Sequence, residues 1–471
     1  MAEQIMEAVD DKLSKKTVIG WICVVALALI IMRISPTELF TPGIRTTLAI
    51  TASIMCAFAF ELVPNAVLAL TLVVLYIITG VADAGTALSG FTNPTTWATP
   101  AAMLLVGCLG QTRVLKKTCY GCMLKAGGTY RGIVIGMTIA SIILGAVIGG
   151  GEVCVPMIII AFALCTALGV QPNSREAATL MMCAFICANA PISYFYNAVV
   201  AMAFAAAQTV DPEASVTYMQ YLYHSWPMII FGLIQVVIAF AILRPGKIKG
   251  DVDPKEYLKG EYDALGKMDK KDKKMVAILV ILFIGLLTMS ITGFNIAWVI
   301  FLAALLCFLP FVRIGNEESV NAIRISVFLF IGATMGIGAV FASNGVSAFI
   351  ASIIGPMLAG AGKVASMAII WFVGVIANFF LTPLAAQNAL LPSVVEIGHN
   401  AGLNTLPIVY MFRQGVNQLL LPYEIAMPMF MFSYGMVSLK QFVKVMGVLM
   451  IANFIFLMAV MIPYWSFIGI F

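Results

Sequence analysis

The chain has 471 residues, of which 62% are hydrophobic and only 10% charged, and its mean hydropathy is +1.02. A soluble chain carries about 45–50% apolar and about 25% charged residues, and no soluble interior of this size hides so much apolar surface. Disorder, a secreted disulfide scaffold and nucleic-acid binding are excluded. The net charge of +5 comes from bases gathered in a few short loops.

The N-terminal stretch mixes acids and lysines ahead of an apolar run at 17–32, with no small-residue cleavage site behind it. It reads as an uncleaved first span. A membrane helix needs about 20 mostly apolar residues. Further runs lie at 46–63, 65–82, 96–112, 131–149, 152–170, 176–207, 218–243, 275–293, 295–312, 324–342, 364–380, 383–398, 405–421 and 440–468. Several are short or broken. The predicted fold is therefore an all-α polytopic membrane protein with about eleven spans and two re-entrant hairpins, at 131–170 and 364–400.

Lys and Arg orient the spans. The polar stretch 244–274 and the loop 113–131 are rich in bases and are placed in the cytoplasm, whereas the loop 208–216 carries only Asp211 and Glu213 and is placed outside. The N-terminus is then inside and the C-terminus outside. The short loops and apolar composition suit a bacterial inner membrane. Of ten cysteines, eight sit in apolar runs as small hydrophobes. Cys119 and Cys122 form a CxxC in the basic loop 113–131, with no second pair beside it. Trp21, Trp97, Trp226 and Trp465, near span ends, read as an interfacial belt.

The linker 244–274 divides the chain into repeat one, 46–243, and repeat two, 275–471, with residues 1–45 forming an N-terminal segment and first span. Each half has a hairpin with a proline in its second arm (Pro156, Pro392), then a span broken beside another proline (Pro191, Pro422), then one long terminal span. An odd number of spans per half turns the second copy upside down. This is the inverted-repeat layout of secondary transporters, which bind their cargo at broken helices near the midplane.

Gly90-Phe91-Thr92-Asn93-Pro94-Thr95-Thr96-Trp97 resembles the GFxNPTxW segment of divalent anion:sodium symporters, and Leu421-Pro422-Tyr423 through Tyr434-Gly435-Met436 and Phe442-Val443-Lys444-Val445 resemble their last two spans. The resemblance covers nearly the whole chain in layout and short patches in sequence. It implies an elevator-type homodimer, with spans 1–4 and 7–9 as scaffold and the hairpins with spans 5, 6, 10 and 11 as the moving domain. The chain departs from that family at both hairpin tips. Where the family carries Ser-Asn-Thr, it has Gly149-Gly150-Gly151-Glu152 in hairpin one and Leu381-Thr382-Pro383-Leu384 in hairpin two.

Intramembrane charge is costly, so it marks candidate function. Glu152, after three glycines, and Glu424, after Pro422-Tyr423, are the candidate acids for coupling to sodium or a proton; a helix-capping role is the other reading of each. Gly150, Gly151, Asn197, Thr382, Pro383, Gln387, Asn388, Pro422 and Tyr423 are the candidate substrate-binding residues. Gln387 and Asn388 read equally as interhelical hydrogen-bonding groups. Arg413 reads as an anion ligand or as the partner of Glu396 or Glu424. His224 and His399 are too far apart in sequence to suggest a metal site.

The predicted function is a symporter of a small anion, a di- or tricarboxylate, with no cofactor and with sodium or a proton as coupling cation. Sulfate, a sulfonate or a zwitterion is the alternative cargo. A membrane enzyme would need a clustered catalytic set, and none is present in the sequence. A channel would not need two hairpins opposite broken spans.

Overall fold

The computed structural model describes residues 15–60, 62–149, 151–246 and 253–471, which are helical throughout apart from turns and loops. Gly150 lies outside the described residues, as do the side chains of Glu152 and Tyr423.

The helices of the first half are α1 (Lys15–Arg33), α2 (Pro42–Ala59), α3 (Asn65–Ile78), α4 (Ala98–Gly110), α5 (Val114–Lys125), α6 (Tyr130–Ile148), α7 (Gly151–Ala167), α8 (Arg175–Asn189), α9 (Ala198–Ala207), α10 (Tyr218–Ser225) and α11 (Pro227–Leu243). Helix α12 (Pro254–Ala264) lies in the linker. The second half has α13 (Lys270–Leu287), α14 (Ile296–Leu306), α15 (Ile325–Ser343), α16 (Val346–Ala359), α17 (Lys363–Phe380), α18 (Pro383–Asn400), α19 (Thr405–Val416), α20 (Ala426–Ser433) and α21 (Leu439–Phe456). Helix α21 runs on through the π turn Leu457–Met461 to Ile462–Phe467.

The two halves exchange packing partners in a reciprocal way. Helix α3 packs on α15 of the other half, and α14 packs on α4. The short helices Ala84–Ala87 and Ser89–Thr92 lie on α15, and the short helix Glu317–Asn321 lies on α4. Helix α9 meets α18 and α19, whereas α20 meets α7 and α8. Each half buries its own apolar faces against the other half.

Glycine sets the closest of these approaches. A Cβ on Gly90 would sit 2.0 Å from the carbonyl oxygen of Gly332 and 2.7 Å from the nitrogen of Gly336. Thr96 Oγ1 donates to Gly90 O, Asn93 caps Thr95, and Trp97 Nε1 donates to Phe91 O. The Gly90–Trp97 motif is thus a tight turn fitted to the backbone of α15. Gly374 of α17 and Gly415 of α19 do the same, since a Cβ on Gly415 would lie 2.3 Å from Trp371 O.

Four helices among the described residues are long and apolar enough to cross a bilayer, or up to six if two bent pairs are each one span. The number is small because many apolar helices have 17 residues or fewer. At 1.5 Å per residue such pieces fall short of the roughly 30 Å hydrocarbon core. The apolar interior among the described residues forms two large clusters and a small one, Met202 and Ala205 of α9 with Ile331 and Met335 of α15. One cluster joins α4–α14 and α17–α21. A second joins α2, α3, α15 and α16, with Ala385 and Ala389 of α18. Helices α4, α13 and α14, assigned above to the scaffold, therefore share a continuous core with the hairpin helices α6 and α7.

Two local readings need correction, the CxxC and Trp465. Cys119 and Cys122 lie on helix α5, not in a loop, and both are free thiols. The linker carries α12, which packs on α5, with Leu258 buried and Lys117 Nζ 5.0 Å from the ring centre of Tyr262. Trp465 is not interfacial. It is 1% exposed and donates to His224 O, whereas Trp21, Trp97 and Trp226 are exposed.

Candidate functional site

The helical path is interrupted at four places that converge. Helix α6 ends at Ile148 and α7 begins at Gly151, and Gly149 has φ 99°, a left-handed conformation that glycine adopts without strain. Helices α17 and α18 meet at Leu381-Thr382, where Thr382 Oγ1 accepts the Ala385 N–H as N-cap. Between α8 and α9 lie the 3-10 turn Ala190–Ser193 and the extended residue Asn197. Between α19 and α20 lies the 3-10 turn Pro422–Glu424. Proline enforces both of the latter breaks because it lacks a donor.

A cavity of about 470 Å³ opens at the α17–α18 junction. Its wall includes Thr382 and Pro383 of that junction, Glu424, Ile425 and Ala426 of the α19–α20 break, and Val199 near the start of α9. The N-terminal ends of α18 and α20 both reach it. Asn189, Asn378 and Asn417 add carboxamides, and Phe58, Val327 and Phe330 close the far side. A second space of only about 50 Å³ lies at the α6–α7 junction, against Gly149, Gly151, Asn197 and Ala198.

Glu424 is 2% exposed and every contact it makes is with a donor. Its Oε2 accepts from Asn378 Nδ2 at 2.7 Å and from Leu420 N at 3.1 Å; its Oε1 accepts from Leu421 N at 2.9 Å. An ionised carboxylate is an acceptor only, so this donor set matches the charged form. Asn378 also donates to Gln418 O, while its own Oδ1 is buried without a partner.

Arg413 is likewise 2% exposed. It donates to Tyr221 OH at 2.8 Å and to Ile192 O in the α8–α9 break at 3.4 Å, and its Nε has no partner. The only ion pairs among the described residues are Arg113–Asp269 and His399–Asp211. Arg413 therefore forms no bridge to Glu396 or Glu424, and its charge stands uncompensated beside the break.

The other candidates divide. Gly151 and Asn197 border the small space, but Asn197 is fully engaged: its Oδ1 accepts from Val199 N and Val200 N, and its Nδ2 donates to Phe195 O and Ile192 O. Pro422 opens the turn that carries Glu424 to the cavity. Gln387 donates to Val199 O, and Asn388 donates to Thr334 Oγ1 on α15. Both make interhelical hydrogen bonds. His224 Nδ1 meets Tyr410 OH, and His399 meets Thr405, which donates to Asp211. No group of three or more His, Cys, Asp or Glu able to hold a metal occurs among the described residues. The sequence reading missed Asn189, Asn378 and Asn417. Their one signal was an amide in or beside an apolar run close to a break.

Helices broken around a shared cavity and an apolar exterior fit a polytopic membrane transporter. The citrate transporter family matches residues 55–412, and the chain belongs to that family. Neither comparison that matches supports the divalent anion:sodium symporter assignment itself. Among solved structures, the chain is similar to MtrF of Neisseria gonorrhoeae, described as illuminating a class of antimetabolite efflux pumps, at 15% identity and a TM-score of 0.58. That match covers 98% of this chain and 97% of the other, and it supports the fold alone. No curated protein sequence matches.

Proposed function

We propose that this protein is a secondary active transporter that carries a small di- or tricarboxylate together with sodium or a proton. The carrying observation is the cavity where two helix N-termini and one buried, donor-held carboxylate meet. Helix N-termini present free N–H groups and a positive dipole end, which favour an anion. Glu424, with no base within ion-pair distance among the described residues, favours a cation beside it. An anion and a cation that neutralise each other enter such a site more easily than either does alone. Membership of the citrate transporter family supports a carboxylate cargo.

The geometry suits an elevator mechanism, in which the two hairpins and the broken spans move against the remaining helices within a homodimer. Uptake of radiolabelled citrate into proteoliposomes, with an imposed sodium or proton gradient, tests the function. Accumulation with one gradient and none without it is expected. Equal, gradient-independent equilibration would count against coupling, and no entry of citrate would count against the cargo.

A further inference from the structure

We propose that a polar recess behind the cavity recognises a hydroxyl group on the carried acid. This rests on the carboxylate-carrier reading given above. The recess measures about 40 Å³, room for one or two water-sized groups, and it shares Asn189, Ile192, Asn417 and Leu419 with the large cavity. Its polar wall is Asn189, Gln235, Gln414, Asn417, Gln418 and Asn453, with Ser193 beside them. No acid or base lines it.

Part of this wall is already wired. Gln418 Nε2 donates to Gln414 O and Asn453 Oδ1, Trp371 Nε1 donates to Asn453 Oδ1, and Asn453 Nδ2 donates to Gln414 Oε1. Asn417 Nδ2 donates to Arg413 O. These bonds engage four amide side chains and leave other groups over. Among the described residues, the side chains of Asn189 and Gln235 make no hydrogen bond, and the side-chain oxygens of Asn417 and Gln418 accept none. The surplus contains both donors and acceptors. A carboxylate only accepts and an ammonium only donates, whereas an alcohol hydroxyl does both. The hydroxyl is therefore the group that matches an uncharged, mixed wall.

The recess lies where the repeats meet. Asn189 closes α8, and Asn417 caps the end of α19; Gln235 stands on α11, and Asn453 on the matching helix α21. A hydroxylated acid would then place its carboxylates at the N-termini of α18 and α20 and its hydroxyl between the ends of α8 and α19. Discrimination follows because a ligand lacking the hydroxyl displaces water from these amides and offers them no partner in its place.

The test compares citrate with propane-1,2,3-tricarboxylate, which lacks only the hydroxyl, in wild-type proteoliposomes and in Gln235→Met and Asn189→Leu variants. Wild type is expected to favour citrate by at least about tenfold. In each variant that still transports, the ratio should fall towards one. Equal transport of both acids by wild type, or an unchanged ratio in the variants, overturns the proposal and leaves the recess a water pocket. Failure of wild type to carry either acid overturns the carboxylate reading as well. Transport of propane-1,2,3-tricarboxylate in preference to citrate overturns the recess alone.

Discussion

Glu424 and Asn378 act as a pair, and the pair explains why an acid is tolerated in an apolar interior. The carboxylate replaces its lost water with an amide and two main-chain N–H groups. Replacing Asn378 by Leu removes one charge-assisted bond from a buried anion and should cost about 1.5–3 kcal/mol, read as a lower melting temperature of the purified protein. Arg413→Gln should lose a comparable amount, because it removes the bonds to Tyr221 OH and Ile192 O. It should also weaken carboxylate binding in competition assays, since it removes a buried cation that has no ion-pair partner among the described residues. Unchanged melting in both variants would show that neither group carries structural weight. Glu424 was legible in the sequence because an acid after a proline in an apolar run is rare. Asn378 was not legible, because an amide in an apolar run has no characteristic spacing and its partner lies 46 residues further on. Arg413 was visible as a charge, but its partners are a tyrosine and a carbonyl, which no charge pattern announces.

Between elements, close contacts are made by glycine and the interruptions by proline. Gly415 faces the backbone of α17, whereas Gly110 has no atom within 4 Å of the site a Cβ would take. Gly415→Ala should therefore push α17 and α19 apart, costing about 1–3 kcal/mol and depressing transport. Gly110→Ala should be neutral in both melting and transport. Equal effects would refute the close-packing account. The breaks beside Pro191 and Pro422 can be read from sequence because proline cannot complete a helical hydrogen bond. The part played by the Gly90–Trp97 motif could not be read, since Gly332 and Gly336, its partners, lie in the other half. The same holds for α12: its polar sequence suggests a linker, and only its packing on α5 reveals a helix held in place.

At the scale of the molecule, reciprocal packing ties each half to the other, so neither half is expected to fold alone. The order of hairpins and broken spans supported a two-repeat reading from sequence. Which helices share a core did not follow from order, because α4, α13 and α14 join the larger cluster through contacts made only in three dimensions. The proposed orientation predicts that a cysteine at position 260, in the exposed part of α12, reacts with impermeant reagents only from inside, and one at the C-terminus only from outside. Reaction of both from one side would refute it.

The measurement that bears most directly on coupled transport separates accumulation from exchange in Glu424→Gln proteoliposomes. The substitution keeps the size of the side chain and removes its charge. Gradient-driven accumulation of citrate should be abolished while exchange of labelled for unlabelled citrate persists. Accumulation at the wild-type level, with the same sodium and pH dependence, would contradict it.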